Sequence, residues 1–540
     1  MSKKTGKWGA PDRLVGSYLI VVAAFMLVKI FLQKTIRNDG VGAMSIPLDI
    51  FFAFYGFAVF GCERSLSFYI KNLSQKYRLE TINKLIRKNM LISFFASVIV
   101  FLVSIILERY YLSKLLNANM AALSFIMLAV SLIVLSVQGV LRAYFTGFGY
   151  SNVTIISNFL FAVSIFVFPL IISGSVYNYG LKVNALLMRT DLSAGYGAFG
   201  CVIGVFIATL LNLIFLICIK KIVSKKIDNS MNIYDKMTGR VPNAGIDIIA
   251  HGLVFSMPFI LDIIDIFVYL SYSVSRNYSS KPVENIGIYE GGVLPIIMLT
   301  CLVISMIIVK PCYKICALIT RMDRSEAAIN MVEFTKNIIL VIMAFAAFAY
   351  VMAETILRAV YITPTDAAVS ISSYAAVVIL TLPFYATALA ILLKLRKFPN
   401  ILLQIVLGFI VHLIVLFVMQ GYFQIKIVSN IGALAAFFTA VAYIAYYGIW
   451  RYLHIREKNI LLIIKSVAAN LITGVVVYFA DKILINVIGE ILTLFVCIFI
   501  WYILYIILLL ILRAIDEYEA ENLPLGGMIA ILANGFHFIG

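Results

Sequence analysis

The stretch from His251 to Arg276, HGLVFSMPFILDIIDIFVYLSYSVSR, decides how the rest of the chain is interpreted. It has the length and apolar content of a membrane-spanning helix, yet Asp262 and Asp265 lie near its middle. A carboxylate at the centre of a bilayer costs roughly 2.5 to 3.5 kcal/mol, so two of them on one helix need a favourable environment. Their spacing places both on one helical face, and Pro258 weakens the helix just before them. We therefore expect a kinkable helix whose acidic face lines an aqueous cavity.

A second interpretation of this stretch stays open. One aspartate would cap a broken helix, and the other would lie near the outer membrane interface. The two interpretations differ in whether the carboxylates share one environment.

The composition is that of a membrane protein with many spans. Hydrophobic residues make up 63% of the 540 residues and charged residues 13%, with a mean hydropathy of +1.03, whereas soluble domains carry about 25% charged residues. The net charge of +17 does not indicate nucleic-acid binding, because the basic residues lie in short runs between apolar segments. The seven cysteines lie in or beside apolar segments without metal-ligand spacing. We predict no metal site and no nucleic-acid partner.

Fourteen apolar runs predict fourteen transmembrane helices with both termini in the cytoplasm. Lys and Arg accumulate in the loops that follow even-numbered runs, as the positive-inside rule requires of cytoplasmic loops. The loops at 71–88 and 220–240 carry six each. The basic N-terminus is expected to be a cytoplasmic tail and not a signal peptide. The last apolar run, LPLGGMIAILANGFHFIG (523–540), is too short to span and is expected to lie along the inner leaflet or against the bundle. The longest external loop, 174–196, shows no domain signature, which leaves no room for an external catalytic domain.

A weak internal repeat predicts two similar lobes. Residues 124–160 overlay residues 372–408 with an offset of 248, and a second similarity pairs the segments that begin at Gly197 and Gly432. Such repeats build transporters whose lobes move around a central site. The fold class predicted is an all-α integral membrane protein with two pseudo-repeated six-helix lobes around a central cavity. The predicted parts are an N-terminal lobe at 1–219, a basic linker at 220–245, a C-terminal lobe at 246–453, and two further helices with a tail at 454–540.

A family resemblance is carried by three stretches and by the pattern of Pro258 followed by Asp262. The stretches are IPLDIFFAFYGFAVFGCERSLSFYIKNL (46–73), GVLRAYFTGFGYSNVTIISNFLFAVSIFVFPLII (139–172) and GIYEGGVLPIIMLTCLVISMIIVKPCYKICALITRMDRSEAAINMVEFTKN (287–337). They resemble segments of the stage V sporulation protein B group of polysaccharide and lipid-linked oligosaccharide flippases. The resemblance covers nearly the whole chain through individually diffuse motifs. One departure is Cys62-Glu63-Arg64, where that group usually has a small apolar stretch.

The resemblance implies a fold, a substrate and a location. The fold is that of the multidrug, oligosaccharidyl-lipid and polysaccharide (MOP) superfamily, which also contains the lipid II flippases. The implied substrate is a lipid-linked saccharide of the polyprenyl phosphate or diphosphate type. The implied partners are membrane lipids and enzymes of polysaccharide or cell-wall biosynthesis, in a bacterial plasma membrane.

Arg64, Arg142 and Lys29 are the predicted substrate-binding residues. The two arginines approach the depth of the inner-leaflet phosphates, and a guanidinium can bind phosphate oxygens with two parallel hydrogen bonds. Lys29 lies near the outer end of the first run. The alternatives are snorkelling to the interface for Arg142 and Lys29, and an ion pair with Glu63 for Arg64.

Asp262, Asp265 and His412 are the predicted ion-coupling residues, with a proton or sodium as the coupled ion. Pairing or neutralising a carboxylate changes the free energy of closing a cavity around it, which can link ion binding to transport. His412 is either a proton carrier or a packed hydrogen-bond donor. Glu290 and Glu354 are interpreted as solvated ends of spans. No cofactor is predicted.

These observations favour a flippase that moves a lipid-linked saccharide precursor from the inner to the outer leaflet by alternating access. A drug or cation antiporter of the same fold is the nearest alternative, and the acidic seventh span is the argument for it. A membrane glycosyltransferase or polymerase is an alternative of another class. An enzyme of that kind would need external carboxylate clusters, whereas Asp191 and Asp366 are isolated in the sequence.

Overall fold

The computed structural model describes residues 10–76, 79–109, 121–190, 192–231, 241–276, 282–361, 365–422, 427–456 and 460–515. Within these ranges the regular structure is helical and contains no β-strand, which confirms the all-α class. The first nine residues, the middle of the predicted basic linker and the predicted inner-leaflet segment after residue 515 lie outside the described residues.

The helices are numbered in chain order. They are α1 Ala10–Tyr55, α2 Cys62–Ser74, α3 Leu79–Leu107, α4 Ala121–Gly147, α5 Ser151–Leu187, α6 Leu192–Met231, α7 Gly245–Arg276, α8 Pro282–Gly287, α9 Leu294–Thr320, α10 Arg324–Val351, α11 Ala353–Tyr361, α12 Asp366–Lys394, α13 Phe398–Tyr422, α14 Ile427–Leu453, α15 Ile460–Ile488 and α16 Glu490–Ile511. Two π-helical segments, Gly56–Gly61 and Ile288–Val293, connect α1 to α2 and α8 to α9.

In the described part of the chain, thirteen helical stretches are long and apolar enough to cross a membrane. The first, Arg13–Ser74, has 62 residues, so a straight helix of that length would be about 90 Å long, three times the thickness of a bilayer core. It is not straight, because Arg37 has non-helical angles of φ 61° and ψ 178°. Counted as two crossings on either side of Arg37, this stretch brings the total to the predicted fourteen.

Most of the predicted external loop at 174–196 is helical, whereas its location outside the membrane stays a prediction. Helix α5 continues to Leu187, and α6 already begins at Leu192. Met188 ends α5 in the left-handed conformation at φ 49°, and its N–H bonds to the carbonyl oxygen of Asn184. Polar residues end the apolar run before the helix itself ends. A helix can continue beyond the bilayer, because water satisfies its polar side chains there.

Two inter-helix turns that fall within the predicted repeat have the same form. Helices α4 and α5 are joined by a three-residue turn at 148–150, and α12 and α13 by one at 395–397. The middle residue has a positive φ in both turns, 88° at Gly149 and 56° at Arg396. The two turns therefore share length and backbone handedness.

The chain forms two compact units. The first comprises residues 1–295 with 396–406, and the second residues 296–395 with 407–540. Within the first, α1 packs against α5, α6, α7 and α8, and α4 packs against α2, α3 and α6. Within the second, α12 packs against α10 and α14, and α15 against α10 and α16. The predicted lobe boundaries at 219 and 246 stay a prediction.

Candidate functional site

Four charged side chains meet inside the first unit. Lys29 and Asp49 lie on α1, on either side of the break at Arg37. Asp262 lies on α7 and Glu290 in the second π-helical segment. The Nζ atom of Lys29 donates hydrogen bonds to Oε2 of Glu290 at 2.5 Å and to Oδ1 of Asp49 at 3.3 Å. Lys29, Asp49, Asp262 and Glu290 are called the acid–lysine cluster.

The three acids of the cluster are close enough to share one ligand. One carboxylate oxygen from each of Asp49, Asp262 and Glu290 lies within 4.8 Å of the other two. Ca²⁺ binds oxygen ligands at about 2.3 to 2.6 Å, so oxygens on opposite sides of one such ion are about 5 Å apart. The donor set is therefore of the right kind and spacing for a hard cation.

The cluster is buried and only partly satisfied. Lys29 is 1% exposed, Asp49 and Glu290 are 0% exposed and Asp262 is 4% exposed. Oδ2 of Asp49, Oδ1 of Asp262 and Oε1 of Glu290 have no hydrogen-bond partner within the described part of the chain. With all groups ionised, three carboxylates and one ammonium have a formal charge of two negative. Burial of an uncompensated charge costs several kcal/mol, so the cluster favours additional positive charge.

Two glycines bring Glu290 next to α1. A Cβ atom on Gly42 would overlap the carbonyl oxygen of Val283, and one on Gly287 would overlap the carbonyl oxygen of Asn38. The backbones of α1 and α8 therefore approach each other closely, which only residues without a side chain allow. The π-helical segment that follows α8 carries Glu290, and such segments are frequent at functional sites.

The expectation of a water-facing acidic stripe on α7 needs correction. Asp262 faces Lys29, Asp49 and Glu290 instead of water, because charged groups from α1 and the π-helical segment supply the polar environment. Asp265 is also buried, at 1% exposed. Its charge acts on the neighbouring Tyr289 hydroxyl together with the charges of the three cluster acids. Both aspartates share one interior environment, so neither caps a broken helix.

Two further expectations for the cluster residues are wrong. Glu290 is not a solvated span end, because its helical stretch begins at Pro282 and places it eight residues inside. Lys29 does not snorkel to an interface, since its ammonium group is held by two buried carboxylates. The predicted substrate-binding role of Lys29 stays a prediction.

Arg64 and Arg142 flank one tyrosine in the first unit. The Tyr18 hydroxyl donates to Oε2 of Glu63 at 3.2 Å, and the same oxygen lies 3.6 Å from Nε of Arg64. On its other side, Tyr18 interacts with the guanidinium of Arg142. Arg142 also donates to the hydroxyl of Tyr55 at 3.0 Å. Arg64, Glu63, Tyr18, Arg142 and Tyr55 are called the arginine network.

The arginine network retains free donors. Nη2 of Arg64 and Nε of Arg142 are buried without a hydrogen-bond partner among the described residues. Arg142 is completely buried, and its further partner Asn158 is neutral. Snorkelling of Arg142 is thus excluded, whereas the predicted ion pair between Arg64 and Glu63 is present. Arg64 keeps 20% of its side chain exposed, so the network reaches an accessible surface.

His412 belongs to the second unit. It is buried on α13, and its ring stacks on Phe409 with centroids 6.4 Å apart. It is not a member of the acid–lysine cluster. A role in ion coupling stays a prediction.

A third polar contact in the first unit was not predicted from the sequence. Arg396, from the turn before α13, donates to Oδ2 of Asp247 at 2.5 Å and to the hydroxyl of Tyr69 at 3.2 Å. Its guanidinium also lies 4.0 Å from the ring centroid of Phe68. This contact ties the turn to α2 and α7, and only three-dimensional packing brings its residues together.

The second unit contains an open apolar cavity of about 920 Å³. Its walls come from α10, α12 and α15 and include Met343, Val377, Leu380, Leu471 and Phe479. The polar groups on its lining are few, with Ser373 and Asn470 among them. A cavity of this kind suits a hydrocarbon chain better than a charged head group.

The fold is shared with solved transporter structures. An inward-facing multidrug resistance MATE family transporter of the MOP superfamily aligns with a TM-score of 0.55 at 12% identity, over 83% of this chain and 98% of that one. An outward-facing structure of such a transporter gives 0.54 at 13% identity, over 82% and 95%. A MOP superfamily transporter from Pyrococcus furiosus gives 0.54 at 13% identity, over 83% and 99%.

These comparisons define the class of protein by its fold. The chain has the fold of the MOP superfamily transporters and is a multi-pass membrane protein. No protein-family model matches the chain, and no curated protein matches its sequence. At 12 to 13% identity the similarity establishes the fold, and the substrate has to be argued from the residues.

Proposed function

We propose that this chain is an ion-coupled transporter that moves a lipid-linked saccharide precursor from the inner to the outer leaflet by alternating access. The observation that supports this substrate best is the pair of free guanidinium donors in the arginine network. Arg64 and Arg142 each retain a buried nitrogen with no partner among the described residues, and phosphate oxygens match the planar fork of a guanidinium. A polyprenyl phosphate or diphosphate supplies such oxygens.

The apolar cavity of the second unit supports a lipid-linked substrate. At about 920 Å³ it is large enough for several isoprene units, and its lining is almost entirely hydrocarbon. A soluble sugar phosphate would gain nothing from such a surface, whereas a prenyl tail could lie along it without leaving a hydrocarbon environment.

The acid–lysine cluster supports coupling to a cation. Its carboxylates are buried and exceed the single ammonium in charge. Binding a proton or Na⁺ would lower the cost of keeping them in the interior, so ion binding would favour conformations in which the cluster is closed. The ion gradient would then drive movement of the substrate.

A drug or cation antiporter of the same fold is the second candidate. The observation in its favour is again the acid–lysine cluster, because a cationic drug could replace the ion at the carboxylates. For the Pyrococcus furiosus transporter of this fold, the reverse polarity of the binding pocket suggests a different function. For a glycosyltransferase or polymerase the described residues offer no specific observation.

Reconstitution of the purified chain into liposomes tests the proposed function. Vesicles would carry a fluorescent undecaprenyl-diphosphate sugar in one experiment and a cationic dye in the other. We expect the protein to accelerate appearance of the sugar lipid in the opposite leaflet and to leave dye efflux at the rate of protein-free vesicles. Dye efflux without lipid movement would establish the antiporter instead.

A further inference from the structure

We propose that Lys29 is a tethered counter-ion, which occupies a binding site for a small cation formed by Asp49, Asp262 and Glu290 and competes with the external ion for it. The external ion is a proton or Na⁺. The inference deepens the proposed function, because the same site would couple the ion to transport. It can be tested without any transport measurement.

The site has unused acceptors. Each of the three acids keeps one buried carboxylate oxygen without a hydrogen-bond partner among the described residues. The Lys29 ammonium group lies 2.5 Å from Glu290 and 3.3 Å from Asp49, so the carboxylates already hold one cation. An ammonium offers only three donors, and three carboxylates offer about a dozen acceptor positions. The protein's own cation therefore leaves most of the site unused.

An external ion and Lys29 exclude one another. Two cations held by the same three carboxylates repel each other, and the repulsion is stronger in a protein interior than in water. The Lys29 ammonium group already contacts two of these carboxylates, so an external ion bound to them would lie beside it. The four-carbon side chain of Lys29 is flexible, so its ammonium group can move relative to the acids without a shift of α1, and it already lies 5.0 Å from the Phe25 ring, which also stabilises a cation.

Three further titratable groups among the described residues interact with the cluster. They are Asp265 on α7, Tyr289 on the π-helical segment and Cys201 on α6. Tyr289 and Cys201 are neutral unless strongly perturbed, so the charge balance of the site depends on the four acids and Lys29. Removal of the lysine charge should leave the site with a higher affinity for an external cation.

The experiment measures the thermal unfolding midpoint of the purified full-length protein in detergent, without substrate. Wild type and Lys29→Gln are titrated with NaCl against choline chloride at fixed ionic strength, and separately with pH. We expect Lys29→Gln to be stabilised by Na⁺ or protons at concentrations at least tenfold lower than wild type, because the competitor is gone. Lys482→Gln, which removes a lysine from an exposed ion pair, should respond as wild type does.

The outcomes separate the alternatives. A response to Na⁺ identifies a sodium site, and a response to pH alone identifies a proton site. The same midpoint shift in wild type and Lys29→Gln in both titrations would overturn the proposal and make Lys29 a structural partner only.

Should Lys29→Gln fail to fold, Glu290→Gln provides the test. It keeps Lys29 paired with Asp49 and removes one acid, so the wild-type response must shrink; an unchanged response would equally overturn the proposal. Loss of flipping with an intact ion response would contradict the proposed function and not this inference.

Discussion

The ammonium nitrogen of Lys29 lies 2.5 Å from a carboxylate oxygen of Glu290, although 261 residues separate the two along the chain. Both side chains are buried, and Asp49 contacts the same ammonium. This ion pair fixes the second π-helical segment against α1, and it makes the stability of the first unit depend on the charges of its interior.

The first prediction concerns that pair. Lys29→Met removes the only cation of the acid–lysine cluster and should destabilise the protein by about 3 to 5 kcal/mol, as the loss of one partner of a buried pair does. Lys482→Met breaks a pair with Glu354 in which both side chains are more than a third exposed, and should cost at most about 1 kcal/mol. Unfolding midpoints in detergent at neutral pH measure both. Equal midpoints for the two variants would contradict the buried pairing.

The second prediction concerns the close approach of α1 and α8. Gly287→Ala places a Cβ atom onto the backbone oxygen of Asn38, so we expect loss of folded protein. Gly174→Ala is the control, because no atom lies within 4 Å of its Cβ position in α5. It should be neutral or stabilise by up to about 1 kcal/mol. Size-exclusion profiles measure the amount of folded, monodisperse protein for the two variants. A monodisperse Gly287→Ala protein would show that α8 is positioned differently.

The three acids of the acid–lysine cluster differ in how well the sequence predicts their role. Asp262 was predicted as functional, because a charge inside an apolar run is costly wherever it points. Asp49 carries the same signal in SIPLDIFF but was not singled out. The interpretation of Glu290 as solvated is wrong, because the helix begins at Pro282, before the apolar run that contains Glu290 can be recognised in the sequence. The pairing itself could not be predicted, since it joins residues far apart in the chain.

The overall fold was easier to predict than its details. Length, hydropathy and the distribution of Lys and Arg were sufficient for fourteen crossings, because the bilayer imposes span length. The length of α5 and α6 was missed, because their ends are polar and a hydropathy pattern reports the bilayer and not the helix. The partners of Arg142 were missed for another reason. They are neutral residues whose position depends on the packing of α1, α4 and α5.

The third prediction concerns the arginine network. Arg64→Lys keeps the positive charge but loses the planar fork, so flipping of the sugar lipid should fall at least about tenfold while the midpoint changes little. Arg358→Lys is a matched change at an exposed i,i+4 pair with Glu354, and should leave flipping unaffected. If Arg64→Lys flips at the wild-type rate, then Arg64 is a partner of Glu63 only and the phosphate is bound elsewhere.

The fourth prediction concerns the backbone of Arg396. Its φ of 56° costs a residue with a side chain about 1 kcal/mol, which its bonds to Asp247 and Tyr69 offset. Arg396→Ala loses those bonds and keeps the strain, whereas Arg396→Gly loses the bonds and relieves it. Thermal midpoints should therefore rank wild type above Arg396→Gly and Arg396→Gly above Arg396→Ala. The reverse order of the two variants would show that the turn adopts another conformation.

Flipping of a lipid-linked saccharide under an imposed ion gradient is the measurement that tests the account most directly. Liposomes containing wild type or Asp262→Asn would be given an inward or outward gradient of Na⁺ or protons, with the rate of appearance of a fluorescent undecaprenyl-diphosphate sugar in the opposite leaflet as the readout. We predict that one gradient accelerates flipping by wild type, and that folded Asp262→Asn loses this dependence because its amide cannot titrate or bind the ion as a carboxylate does. A gradient dependence that is identical in wild type and Asp262→Asn would contradict coupling at the acid–lysine cluster, and the absence of flipping by wild type under every gradient would contradict the proposed substrate.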